Sequence, residues 1–200
     1  MKTEPSQQFL KSRLREENRR LRAGIGEQER RRLDSEINRH LLEFSEQSKP
    51  SVIAAFQSFD GEPNLAPALT ELRKGGVRVA LPVVLDAPDK PLIIFRQWTS
   101  GSQMRKNHYG IPEPVGTLEI QIMEIDLVLL PLVAWDESGG RLGMGASYYD
   151  RFFQSLSELN RPQRMGVGYE LQKVEKIPLE PWDIRLHHVL SENGCLSCKE

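Results

Sequence analysis

Cysteine is scarce in this chain. Its 200 residues hold two, Cys195 and Cys198, spaced as C-x-x-C. A structural zinc takes four ligands and no second cysteine pair exists; a redox C-x-x-C opens a helix after a strand, whereas this one lies in a polar C-terminal stretch. The reading left for the pair is a loose tail. Long apolar runs are missing too: none approaches the ~20 residues that cross a bilayer, so no membrane partner is expected. Charge of one sign is not in excess. Lys and Arg number 27 against 28 Asp and Glu, a net charge of −1, which argues against a general nucleic-acid or membrane-surface binder. Met1 to Ser6 lead into no apolar core of the kind a signal peptide carries, so a cytoplasmic protein is expected. Internal repeats and low-complexity segments are absent as well.

What is present is ordinary for a soluble globular domain: 28% charged and 38% hydrophobic residues, in a chain long enough for one real core. The expectation is a single, monomeric domain over 1–200, with loose tails at 1–6 and 192–200. Ten of the 27 Lys and Arg residues fall between Met1 and Arg32. Leu10, Leu14 and Leu21 share a helical face, which predicts a helix over Gln7 to Ala23, broken by Gly24 and Gly26. Leu33, Ile37, Leu41 and Phe44 predict a second helix. Arg19, Arg20, Arg30, Arg31 and Arg32 read mostly as a solvated face. Lys11 and Arg15 differ, since four residues put them one turn apart on one face, where a point charge and a fork can grip one polyphosphate.

Val52 to Phe56 is a β-prone apolar run, the first core strand. Asn64 is a candidate N-cap for a helix from Leu65 to Lys74, stopped by Gly75 and Gly76. Glu62 lies between that strand and helix. It is either a first-turn acid favoured by the helix dipole or a ligand-facing residue at the carboxyl end of a strand. Val77 to Leu85 and Leu92 to Trp98 are the next strands, with a turn at Pro88, Asp89 and Pro91. Thr99 to Lys106 reads as a mobile surface loop. Asn107 to Pro114 is an extended, proline-stiffened loop on which Tyr109 can stack on a flat ring or pack the loop down. Met104 and His108 beside it are weaker candidates. Arg164 to Tyr169 and Leu186 to Leu190 are the last strands expected. His187 and His188 fall on opposite faces of the latter, so they do not suit one metal. The strand–helix alternation gives an α/β fold with an open, mostly parallel central sheet, helices on both faces in three Rossmann-like layers, and the basic N-terminal helices packed on it.

The stretch that carries chemistry runs from Asp126 to Phe153. Asp126-Leu127-Val128-Leu129-Leu130-Pro131-Leu132-Val133-Ala134-Trp135-Asp136 is nearly continuous apolar sequence, as in a strand buried on both faces. Gly139, Gly140, Gly143 and Gly145 then sit in a loop around Arg141, and Phe152, Phe153 and Leu156 predict a helix that starts near Ser147, itself a candidate N-cap. Strand, glycine loop and helix start together suit phosphate, because glycine admits close backbone approach and free N–H groups meet the anion. Asp150 stands where a carboxylate can hold a metal ion. No Gly-Lys-Ser/Thr follows, so the loop is not a Walker motif, and Tyr148 stands where a dinucleotide fingerprint has its third glycine. A glycine-rich turn that merely closes an α/β unit is the other reading of the same spacing.

Arg141-Leu142-Gly143-Met144-Gly145 followed by Tyr148-Tyr149-Asp150-Arg151 resembles the signature of the 5-formyltetrahydrofolate cyclo-ligase (5,10-methenyltetrahydrofolate synthetase) family. The resemblance covers nearly the whole chain. Lys11-Ser12-Arg13-Leu14-Arg15 matches the family's opening Lys-x-x-Leu-Arg helix, and Gly168-Tyr169 matches a Gly-Tyr pair. The departure is Ala146 and Ser147, where the family usually has glycines. The resemblance implies an enzyme that closes 5-formyltetrahydrofolate to 5,10-methenyltetrahydrofolate with ATP and Mg²⁺, by way of a phosphorylated formyl group. It implies an ATP site of Lys11, Arg15, Arg141, Leu142, Gly143, Met144, Gly145, Ala146, Ser147, Tyr148 and Tyr149. Glu62, Tyr109 and Tyr148 would hold folate, and Asp150 and Asp183 the metal. Arg141, Tyr148 and Asp150 would carry catalysis, Tyr148 as ring wall or hydroxyl donor; Arg151 would only cap the motif. The alternatives are a non-catalytic folate- or nucleotide-binding protein with a disabled loop, and a sugar-phosphate isomerase or acyl-CoA transferase on a related fold.

Overall fold

Leu127, Val128, Leu129 and Leu130 are all buried, and they alternate. Leu127 and Leu129 enter one apolar cluster with Ile37, Leu41, Leu69 and Val167, while Val128 and Leu130 enter another with Phe95, Phe153 and Val189. A strand covered on both faces needs no polar side, which is why the sequence pattern there is a run rather than an alternation. The structure, a computed structural model, describes residues 6–85, 92–154 and 162–199. The turn expected at Pro88, Asp89 and Pro91, the close of the last helix over 155–161 and the tail over 1–5 lie outside the described residues.

In chain order the elements are α1 (Gln7–Ala23), α2 (Glu27–Ser48), β1 (Val52–Ala54), α3 (Ala66–Lys74), β2 (Arg78–Leu85), β3 (Leu92–Gln97), β4 (Gln103–Lys106), β5 (Pro112–Val115), β6 (Glu119–Ile120), β7 (Leu127–Pro131), β8 (Ala134–Trp135), β9 (Arg141–Leu142), α4 (Tyr148–Gln154), β10 (Gln163–Val167), β11 (His188–Ser191) and β12 (Gly194–Ser197). The main sheet has eight strands in the order β12-β11-β10-β7-β1-β2-β3-β6. The β11-β10-β7-β1-β2 core is parallel. Both edges are antiparallel: β12 on β11, and β3 on β2 followed by β6. Residues from α2 and α3 fill one face, and Phe152 and Phe153 of α4 the other. The expected three-layer α/β architecture is therefore present.

Four local points sharpen or change the expectations. The run from Leu92 is an antiparallel strand, because a short connection after β2 can only turn the chain back. The stretch from Thr99 to Lys106 holds β4, which pairs with β5 as a hairpin arm whose turn carries Tyr109. The tail expected over 192–200 contains β12, an edge strand in register with β11, so the chain does not end its sheet at Leu190. Cys195 lies on that strand and Cys198 just beyond it; both thiols are free, and burial pushes each up to about 11, so neither is a poised thiolate. The fourth point concerns α3, which starts at Ala66. Asn64 Oδ1 accepts the Ala66 N–H at 3.1 Å, doing the work expected of a cap from one residue further out.

Chain direction changes sides at the centre of the sheet. From β1 it passes through α3 to β2 on one side, and from β7 through α4 to β10 on the other. The crevice beyond the carboxyl ends of β1 and β7 is the switch point, where ligands of open α/β sheets sit.

Candidate active site at the sheet's switch point

Two loops border that crevice: residues 55–65 after β1 and residues 132–147 after β7. The second is built on Asp136. Its Oδ1 accepts the Ser138 N–H (2.9 Å), the Ser138 hydroxyl (2.8 Å) and the Gly140 N–H (2.8 Å), and its Oδ2 accepts the Ile177 N–H at 2.8 Å. Burial alone would raise this carboxyl, but those donors outweigh it and hold it below the usual carboxylate range. Gly140 has no room for a side chain, since a Cβ would stand 2.3 Å from Asp136 Oδ2. The turn thus delivers β9 against β8 and places Arg141, 8% exposed, facing α4. There its Nη2 donates to Asp150 Oδ1 at 2.6 Å, and its guanidinium lies 5.9 Å from the Tyr149 ring centre.

Beyond Leu142 the loop turns outward, and Met144, Gly145, Ala146 and Ser147 are exposed. Gly145 has φ 104°, in the region that suits glycine. Ser147 has φ 52°, an uncommon value for a residue with a Cβ. Its carbonyl accepts the Arg151 N–H at 3.1 Å, so Ser147 does flank the helix start, but in a left-handed conformation rather than the extended one of an N-cap.

Helix α1 reaches this loop from the far end of the sequence. It starts on Ser6, whose hydroxyl accepts the Phe9 N–H at 3.3 Å. Arg15 Nε donates to the Gly143 carbonyl at 2.9 Å, and Lys11 Nζ meets Asp183 Oδ2 at 2.5 Å. Asp183 also accepts the Glu180 N–H at 2.9 Å. The inward face of α1 is not the expected Leu10, Leu14 and Leu21 stripe, because Leu21 is 45% exposed. Leu14, Asn18 and Arg22 point inward instead, and Arg22 is 0% exposed. Nor are all the arginines near the helix junction a solvated face. Arg30 donates to the carbonyls of Gly61 and Arg22, and Arg19 to Asp60.

Glu62 lies in the first loop, 9% exposed, with Oε2 accepting the Phe59 N–H at 3.1 Å. Burial raises its carboxyl to about 7, against the pull of the Arg22 charge, and Asp60 adds to the rise. The Tyr149 phenol is raised by burial and then by the Glu62 charge, with Arg141 opposing, so Glu62, Tyr149 and Arg141 are electrostatic neighbours. On the hairpin arm, Asn107 Oδ1 accepts the N–H groups of Tyr109 (2.9 Å) and Ile111 (3.1 Å), and its Nδ2 donates to Glu113 at 2.7 Å. Tyr109, 45% exposed, meets Tyr148 with the two hydroxyls 3.0 Å apart and the rings edge to face; His108 lies against the Tyr109 ring. The Arg151 guanidinium lies 5.4 Å from the Tyr148 ring centre.

The structure therefore joins Lys11 to Asp183, Arg15 to the glycine loop, Arg141 to Asp150, and Tyr109 to Tyr148. Asp150 and Asp183 each hold a cation of the protein, and among the described residues no three His, Cys, Asp or Glu side chains form a group that could hold a metal. His187 is no ligand here: its Nδ1 accepts the Arg164 N–H at 2.9 Å, and burial lowers it to about 4. Sequence reasoning missed Arg22, Asp60 and Asp136. The first is one cation in a basic run. Asp136, two and four residues before its donors Ser138 and Gly140, was visible as an Asx-type turn.

The sequence pattern of the 5-formyltetrahydrofolate cyclo-ligase family matches residues 7–192, from the first residue of α1 to the residue after β11. The chain belongs to that family. It is an enzyme, a 5-formyltetrahydrofolate cyclo-ligase. Among similar cyclo-ligases, that of Haemophilus influenzae is 32% identical over 88% of this chain and 95% of its own length, and that of Escherichia coli is 37% identical over 70% and 76%. Two solved cyclo-ligase structures share the fold. The 5,10-methenyltetrahydrofolate synthetase of Aquifex aeolicus superposes with a TM-score of 0.81 at 29% identity, covering 96% of this chain and 94% of that one. The Mycoplasma pneumoniae synthetase superposes with a TM-score of 0.73 at 26% identity, covering 91% and 98%. The basic helix α1 lies inside the family match, and cyclo-ligases are ligases of folate metabolism acting on small molecules. No helix among the described residues is long and apolar enough to cross a membrane.

Proposed function

We propose that the protein closes 5-formyltetrahydrofolate to 5,10-methenyltetrahydrofolate with ATP, releasing ADP and phosphate. The observation that carries the ATP reading is the meeting of Lys11 and Arg15 of α1 with Asp183 and the glycine loop, residues more than a hundred positions away in sequence. Cations that converge on an exposed, glycine-bearing loop are what a polyphosphate needs.

The formyl oxygen of the substrate is a poor leaving group. In the proposed reaction it attacks the γ-phosphorus, the bond to ADP breaks, and an iminium phosphate results. The second folate nitrogen then attacks the former formyl carbon and loses its proton. The C–O bond breaks, and phosphate leaves with the formyl oxygen. The protein's part is alignment and charge neutralisation. Lys11, Arg15 and Arg141 would hold phosphate oxygens in exchange for their present acceptors. The backbone from Leu142 to Ser147, with Met144 and Ala146 on the open side, would lie along the phosphates, and Tyr149 would back Arg141. Glu62 would accept N–H groups of the pterin, and Tyr109 and Tyr148 would wall its ring. Arg141, Tyr148 and Asp150 adjoin the reacting groups in this reading. Asp150 and Asp183 are partly exposed hard-oxygen donors beside the cations, which fits Mg²⁺ held by one or two carboxylates together with the nucleotide. When bound, Mg²⁺ would supply charge neutralisation on the phosphates.

Mixing the protein with 5-formyltetrahydrofolate, with and without MgATP, and following the near-ultraviolet absorbance of the methenyl product tests the proposal. An ATP-dependent rise is expected. No rise, with both ligands still bound in calorimetry, would indicate instead a binding protein with a disabled loop.

A further inference from the structure

Arg22 is the one fully buried arginine among the described residues, and its surroundings do not resemble a structural accident. Its Nη1 donates to the Leu132 carbonyl at 3.2 Å, at the start of the loop after β7, and its Nη2 to Asp60 Oδ2 at 2.9 Å, in the loop after β1. Asp60 has φ 50° and Gly61 φ 77°, so the turn before Glu62 uses two consecutive left-handed residues. Asp-Gly is a pair suited to such a turn, closed here by the Glu62 N–H on the Phe59 carbonyl at 3.0 Å, and what remains to be fixed is where the turn sits against the crevice. Three arginines fix that. Arg22 and Arg19 take the Asp60 carboxylate, and Arg30 takes the Gly61 carbonyl while its Nη2 bonds the Arg22 carbonyl at 2.8 Å. Glu62 follows directly, and the Arg22 charge reaches it.

The helix that brings Arg22 also brings Lys11 and Arg15. Positions 11, 15, 18 and 22 are spaced four, three and four apart, so they form one stripe along α1, about 16 Å long at the usual rise per residue. Its near end lies on the glycine loop and its far end on the turn that carries Glu62. We infer that Arg22 is a positioning residue of the folate subsite, which acts through Asp60 to set Glu62, and that α1 thereby builds the nucleotide and folate subsites on one rigid element. The inference rests on the reading of Glu62 as a folate contact.

The test uses steady-state kinetics of the whole protein with Asp60→Asn, Arg22→Lys and their double variant, beside Glu62→Gln. Asp60 is partly exposed, so its variant keeps the test alive if the buried Arg22 position does not tolerate change. Lysine keeps the charge but cannot fork between Asp60 and Leu132. The expected result is a KM for 5-formyltetrahydrofolate raised about tenfold in each single variant, the size of one lost charge-assisted hydrogen bond. The double variant should lose less than the two single losses multiplied, because the Arg22–Asp60 link is removed in each, while Arg19 on Asp60 and Leu132 on Arg22 belong to one variant alone. The KM for ATP should stay within about twofold, with the loss falling on folate KM rather than kcat. If Glu62→Gln raises the folate KM and Asp60→Asn does not, the positioning role is wrong while the folate reading stands. Equal loss for both substrates, tracking a lower melting temperature, would mean that Arg22 only supports the fold. If Glu62→Gln leaves the folate KM unchanged, the folate reading fails and takes this inference with it.

Discussion

Glu62 is a buried acid whose ionisation meets opposite demands. Burial raises its carboxyl to about 7, whereas the proposed contact with pterin N–H groups would call for the carboxylate. The sign of the stability effect follows. Between the unfolded value near 4.5 and the folded value near 7, the native state holds the extra proton, so stability falls as pH rises through that window. Glu62→Gln should remove this fall and be more stable than the parent above pH 7, by at most about 3 kcal/mol. Urea denaturation at several pH values checks it; identical pH slopes for the two proteins would contradict the account. Arg141 makes a complementary case. Its place beside Asp150 and the glycine loop predicts that Arg141→Ala lowers kcat/KM for ATP about 100-fold, within the range of lost hydrogen bonds to a charged group. Unchanged ATP kinetics would remove Arg141 from the site.

At the scale of elements, the loop after β7 is a turn locked on one carboxylate. Asp136→Ala would leave the N–H groups of Ser138, Gly140 and Ile177 without their acceptor, and a loss of about 3 kcal/mol in denaturant unfolding is expected. Ser147 offers the opposite change. With φ 52° it is held where glycine is at ease, so Ser147→Gly should stabilise the protein by about 1 kcal/mol in the same experiment. A destabilised Ser147→Gly protein would show that the serine side chain contributes more than its backbone strain removes.

These elements also show what the sequence disclosed. Helices α1 and α2, strand β7 and the glycine loop were legible because each is marked by a local pattern: helical spacing, an unbroken apolar run, clustered glycines. The direction of β3 was not, since a strand's residues do not record which way its partner runs. The β4–β5 arm escaped because every residue of β4 is exposed and no period of two survives. Strand β12 escaped because its burial alternates weakly on a sheet edge, and its polar residues looked like a tail. At the site, Lys11, Arg15, Arg141, Glu62 and Asp150 stood out by motif position, and the structure adds their partners. Arg22 could not stand out. An arginine in a basic run looks solvated until the fold shows what lies against it, and the leucines at 10 and 21 suggested a different inward face.

On the scale of the whole molecule, the sheet's switch point gathers loops from its two halves, and α1 closes the crevice from outside the strand order. The Arg15–Gly143 bond and the Lys11–Asp183 pair are the joints of that closure. In the proposed reading the first helix and the glycine loop form one nucleotide site. Titration calorimetry of MgATP into the parent protein and into a Lys11→Ala/Arg15→Ala variant tests this most directly, with 5-formyltetrahydrofolate titrated into both as control. MgATP binding should be weakened at least tenfold in the variant, with folate binding nearly unchanged. Equal MgATP affinity in the two proteins would contradict it, because the cations of α1 would then be touching the loop without serving the nucleotide.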